Sequence, residues 1–156
     1  MTMITATDTL AAEPAVQSIY EQIGGRAALR AAVDGLYGRL IADPELGRFF
    51  PAGVGEVHRG FVITLLGQAL GGPERYRGPD LVAAHRGLGI TDAHFDATAA
   101  HLDAVLDELG VPRELTDQII GIVAGLRNAV VSRRPVESLA RARRGRSTEC
   151  VRRGAP

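Results

Sequence analysis

The sequence contains no lysine and no tryptophan, one cysteine, and only four phenylalanines and three tyrosines in 156 residues. The lone Cys150 excludes an internal disulfide framework and fits a reducing compartment. With so few aromatics, the core must be built mostly from Leu, Val, Ile and Ala, which suits close helix packing. All eighteen basic residues are arginine, which reads as genomic bias rather than mechanism. No apolar run approaches the roughly 18 residues of a membrane span. Residues 1–15 hold no Arg or Lys to open a signal peptide, so a soluble, cytoplasmic protein without a membrane partner is expected. CxxC, HExxH, GxSxG and P-loop patterns are all missing, which removes those redox, hydrolytic and nucleotide chemistries.

What is present suits one domain, with 46% hydrophobic and 23% charged residues. Residues 1–15, MTMITATDTLAAEPA, lack periodicity and read as a disordered arm whose first five resemble a vector-derived start. Residues 16–131 form the expected domain. Residues 132–156 read as a disordered tail, with eight Arg against two Glu, +6. Residues 1–131 hold ten Arg against sixteen acids, −6. The tail has the charge to meet nucleic acid, anionic lipid or an acidic partner. It lacks interleaved aromatics, so a solvated extension is the better reading and nucleic acid is not expected.

Between those ends the pattern is helical throughout. A short helix over Ser18 to Gln22, capped by Ser18, stops at Gly24 and Gly25. A second, about Ala27 to Ala42, carries Leu29, Val33, Leu36, Tyr37, Leu40 and Ile41 on a core stripe. Leu46, Phe49 and Phe50 crowd a brief third turn. A long helix over Glu56 to Leu70 aligns Val57, Phe61, Val62, Leu65, Leu66, Ala69 and Leu70, with His58 on the face of Val62 and Leu65. The penultimate helix, Asp92 to Leu109, repeats Phe95, Ala99, Leu102, Val105, Leu106 and Leu109. A last helix over 112–131 carries Leu115, Ile119, Ile122, Val123, Leu126 and Val130. No strand and no internal repeat appear, so the fold class is all-α.

The stretch LVAAHRGLGITDAHF, residues 81–95, organises the rest. His85 ends a short apolar helix, Gly87 and Gly89 follow, and Thr91 and Asp92 restart a helix as good N-caps. Two readings of His85 stand: a metal ligand, or a surface histidine at the negative end of a helix. Tyr37 on its stripe needs a hydrogen-bond partner, or costs about 1–3 kcal/mol on burial. His94 and His101, seven residues apart, lie about 10 Å from one another along a helix, too far for one small ion, and read as structural or exposed.

IYEQIGG (19–25), AVDGLYGRLIADPELGRFF (32–50), LGGP (70–73) and AAHRGLGITDAHFD (83–96) occur in an order and spacing that resemble the group I truncated haemoglobins. The resemblance runs from about Ser18 to about Val131. It implies a truncated globin, a two-over-two helical sandwich around a haem, with haem b (iron protoporphyrin IX) as cofactor. His85 matches the proximal iron ligand and Tyr37 the distal donor to bound dioxygen. His58 is a departure: the family often has leucine or glutamine there, and often a glutamine where this chain has Val62. The histidine then has four open roles: donor to the gas, swinging gate, iron ligand, or solvent-exposed side chain. Phe50 matches a phenylalanine packed on the haem. Phe61, Val62, Leu65, Leu66, Ile90, Phe95, Val123 and Leu126 are the matching apolar walls. Phe61 stands where the family often has a basic residue, which leaves Arg59, Arg86 or Tyr76 to meet a haem propionate.

The activity implied is reversible binding of dioxygen and other diatomic gases, NO and CO, for transport or storage. Two alternatives remain. One is a nitric oxide dioxygenase forming nitrate with an external reductase; the other is a haem-free helical module docking through the Arg-rich tail. Oligomeric state is not legible.

Overall fold

A computed structural model of the chain describes residues 15–132. The expectations for the arm and the tail fall outside these residues, apart from Ala15 and Ser132. Helix α1, Ile19–Ile23, begins at Ser18, whose Oγ accepts from the Glu21 N–H at 3.2 Å while the Glu21 carboxylate accepts from the Ser18 N–H at 3.0 Å. This reciprocal cap satisfies amide groups the first turn leaves unpaired. Gly24, at φ 108°, ends it in the left-handed region and lets the chain reverse into α2, Gly25–Ala42.

Helix α2 is the spine. It buries Leu29, Ala32, Val33, Leu36, Tyr37 and Leu40 and packs against both α3, Glu56–Ala69, and α5, Asp92–Glu108. A 3-10 turn, Gly47–Phe49, links α2 to α3. Helix α4, Leu81–His85, is one turn long; α6, Arg113–Ala124, packs on α5. The pair α2 and α3 lies over the pair α5 and α6, the two-over-two sandwich that the resemblance implies, and no strand occurs among the described residues.

Several helical expectations shift. The last helix divides at Gly125 into α6 and a short α7, Arg127–Val130. Gly125 and Leu126 bond to Ile122 and Val123, three residues back rather than four, so the α ladder tightens and stops. Ile41, 40% exposed, is turned about 100° from Leu40 and leaves the core. On α3 the buried face is Ile63, Leu66 and Gly67, which rolls Val57 and Phe61 outward to 74% and 37% exposure. Ala69 is exposed, and Leu109, just past α5, is exposed as well.

Candidate functional site

Between the α2–α3 side and the α4–α7 side lies a cavity of about 440 Å³. That is cofactor-sized, within the range of about 300–1,000 Å³. Its walls are mostly apolar: Leu36 and Leu40 from α2, Phe50 after the 3-10 turn, Val62, Leu65 and Leu66 from α3, and Phe95 and Leu102 from α5. Five side chains bring polar atoms: Tyr37, His58, His85, His94 and Thr98. Two of them are committed locally. The Thr98 hydroxyl donates to the His94 carbonyl at 2.9 Å, and His94 Nδ1 accepts from the Thr91 N–H at 3.0 Å, closing the cap of α5. What remains is His85 on one side and the Tyr37–His58 pair on the other.

His85 closes α4, a helix started by Asp80, whose carboxylate accepts from the Ala83 N–H at 2.9 Å. Its Nδ1 lies 2.8 Å from the Leu81 carbonyl. A carbonyl only accepts, so Nδ1 carries the proton and Nε2 keeps its lone pair. This is the tautomer a metal-binding histidine needs, with its second nitrogen held by the backbone. Among the described residues no three His, Cys, Asp or Glu side chains cluster. The described residues thus offer His85 no all-protein ligand cage.

Tyr37 is 7% exposed, and its hydroxyl sits 2.8 Å from His58 Nε2. The ring meets Phe50 edge-on at 5.6 Å and His58 at 5.5 Å. Burial pushes the phenol pKa up to about 12, against a small opposing pull from Arg59, so it stays protonated at any physiological pH. Burial also pushes His58 below the usual histidine value, with His85 adding to the shift. His58 is thus mainly neutral near pH 7. Arg59, next along α3, is committed to Asp34 of α2 at 2.8 Å, which pins α3 across α2.

The structure brings Tyr37, Phe50, His58, Val62, Leu65, Leu66, His85, Ile90, Phe95, Val123 and Leu126 into one lining. It does not bring Phe61, Tyr76 or Arg86 there. Phe61 faces outward and meets Tyr76 edge-on at 6.4 Å, and the Tyr76 hydroxyl donates to the Pro79 carbonyl at 2.6 Å. Arg86 lines a separate cleft behind His85 with Val82 and Asn128 to Ser132. Sequence reasoning missed Phe49, Val54, Leu88, Thr98 and Val130 as lining residues. Thr98 sits a turn after Phe95 on the same helix, a signal that was available; the loop residues Val54 and Leu88 left none. Arg127 is a further positioning residue. It donates to Asp92 at 2.9 Å, also pairs with Asp96, and stacks its guanidinium 4.6 Å from the Phe95 ring centre.

A slot of this volume, apolar except for one uncommitted imidazole nitrogen and a buried phenol bonded to a more exposed imidazole, has the donor set of a haem pocket in a helical protein. Comparison with known proteins agrees. The model of the bacterial-like globin family matches residues 18–132. A group 1 truncated haemoglobin of Mycolicibacterium paratuberculosis is 41% identical over 115 residues, covering 74% of this chain and 83% of that protein. One from Chlamydomonas moewusii is 36% identical over 131 residues, 82% and 76% of the two chains. The crystal structure of the Fe(III) truncated haemoglobin of Tetrahymena pyriformis superposes with a TM-score of 0.71 at 32% identity, over 75% of this chain and all of that one. The chain belongs to the bacterial-like globins, as a group 1 truncated haemoglobin whose cofactor is haem. Family membership sets aside the haem-free module.

Proposed function

We propose that this globin reversibly binds dioxygen and other diatomic gases, NO and CO, with His85 as the proximal ligand and Tyr37 as the distal hydrogen-bond donor. The observation that carries this reading is that His85, its Nδ1 held by the Leu81 carbonyl so that Nε2 keeps its lone pair, lines the same largely apolar cavity as Tyr37. An iron porphyrin held by His85 there would supply the metal centre at which a diatomic gas binds. Leu81 sets the tautomer and ring direction of His85. Phe50, Val62, Leu65 and Phe95 exclude water, which strengthens any hydrogen bond made inside. Tyr37 donates to a gas ligand that carries partial negative charge, a charge-assisted bond stronger than a neutral one. His58 contacts Tyr37, which favours its acting through that phenol over service as the iron's sixth ligand.

Absorption spectra of the haem-loaded protein in ferric, ferrous and oxygenated forms, beside His85→Ala, test the proposal. A strong haem band with a stable oxygenated form in the wild type, lost or altered in the variant, is the expected result. An unchanged variant spectrum overturns the proximal assignment. The nitric oxide dioxygenase reading uses the same residues but needs one electron from an external reductase for each NO and dioxygen converted to nitrate. Sustained NO-driven turnover with a reductase supplied would favour it; a single stoichiometric spectral change leaves carriage or storage.

A further inference from the structure

Tyr37 has one hydroxyl proton and two claimants for it. One is His58 Nε2, at 2.8 Å; the other is whatever ligand occupies the cavity. A neutral imidazole bears a single N–H, so the pair has two arrangements. In the first, Tyr37 donates to Nε2, His58 carries its proton on Nδ1, and the phenol turns only lone pairs toward the cavity. In the second, His58 Nε2–H donates to the phenol oxygen and the phenol proton points into the cavity. The second leaves that proton without a partner among Leu36, Phe50 and Val62 whenever no acceptor is there. The first leaves nothing unpaired, because His58 lies at the exposed start of α3 and its other nitrogen can meet water.

We infer that His58 decides which way the Tyr37 proton points, and so whether the cavity favours hydrogen-bond acceptors such as dioxygen or ligands that themselves donate, such as water. This rests on the gas-binding reading above and deepens it. When His58 is neutral it competes with dioxygen for the phenol proton and weakens the hold on the gas. When His58 takes a second proton, both ring nitrogens donate, the first arrangement becomes impossible, and Tyr37 must offer its proton to the cavity. Lower pH therefore tightens the grip on acceptor ligands. The groups facing His58 are Tyr37 from α2 and His85 from α4; on its own helix, Glu56 and Arg59 are paired with Arg30 and Asp34.

The test uses haem-loaded protein and two readouts. The first is the dioxygen dissociation rate between pH 8 and pH 5 in wild type, His58→Leu and Tyr37→Phe. Wild type should slow about tenfold as pH falls. His58→Leu should be slow at every pH, and Tyr37→Phe fast at every pH. The second is ¹⁵N NMR of the ring nitrogens of His58 in the diamagnetic carbon monoxide form, which should place the proton on Nδ1 at neutral pH. A proton on Nε2 there overturns the inference, as does a His58→Leu rate as fast as Tyr37→Phe. Low-spin ferrous bands without gas, showing His58 on the iron, overturn it as well. None of these touches the gas-binding reading, which fails separately if the wild type takes up no haem or no gas.

Discussion

Asp43 caps α2 and anchors the turn after it. Its carboxylate accepts from the N–H groups of Glu45 at 2.8 Å and Leu46 at 3.2 Å, and from His101 Nε2 at 2.9 Å on α5. The His101 hydrogen bond, followed by the two backbone N–H bonds, holds the Asp43 pKa below the usual carboxylate value. A carboxylate with a depressed folded-state pKa stabilises the fold above its unfolded pKa, and the contribution is lost as pH falls through the folded one. Asp43→Asn keeps an acceptor for the turn but sets an amide N–H₂ or a neutral oxygen against His101. The variant should melt earlier than wild type at pH 7, and the two melting temperatures should start to draw together below about pH 4, the unfolded-state value, and meet only once pH falls below the depressed folded-state value. Thermal melts by circular dichroism across that range decide it; a gap that persists unchanged to pH 3 would show that charge plays no part.

The helices were largely legible in the sequence because their signals are local. Ser18 with Glu21 and Thr91 with His94 form reciprocal caps, and the α2 stripe is buried from Leu29 to Leu40. The failures came where a partner element sets the face. The buried line of α3 is fixed by α2, and it favoured Ile63 over Val57 and Phe61. The split falls at Gly125, the second of two glycines inside a good pattern, whereas Gly121 stays within α6; periodicity alone does not tell the two apart. In the cavity, Tyr37 of α2 and Phe95 of α5 could be read from their stripes. The Tyr37–His58 bond could not, since it depends on how α3 lies across α2.

The close approach of α2 to α5 is likewise invisible in sequence and makes a paired prediction. A Cβ at Gly35 would stand 2.9 Å from Val105 Cγ1, a stiff and buried branch, so Gly35→Ala must push the helices apart. At Gly121 in α6 nothing lies within 4 Å. Alanine there should stabilise by about 1 kcal/mol through helix propensity, whereas Gly35→Ala should destabilise by about 1–3 kcal/mol despite the same propensity gain. Urea unfolding of both variants checks the pair, and a stabilised Gly35→Ala would mean that α2 and α5 are not in tight register.

At the scale of the whole molecule, stability is unevenly divided. Helices α2, α3, α5 and α6 share the core of Leu29, Val33, Ile63, Leu106 and Ile119, whereas neither α4 nor α7 has a buried residue, and each leans on the other. Segments with few buried apolar contacts open locally at low free-energy cost. Haem bound in the cavity, as proposed above, would bridge the two sides, since Leu81, Ala84 and His85 line it from α4 and Val130 from α7. Its binding should therefore act most on residues 81–90 and 126–132. A ligand present at about 100 times its dissociation constant stabilises the state it binds by about 2.7 kcal/mol, which for a domain of this size raises the melting temperature by roughly 10 °C. Hydrogen–deuterium exchange with and without haem should show that gain as slowed exchange concentrated in those two segments. Smaller changes are expected in α2 and α5. Uniform slowing along the chain would mean that α4 and α7 are as firmly held as the core, and that haem acts only through global unfolding.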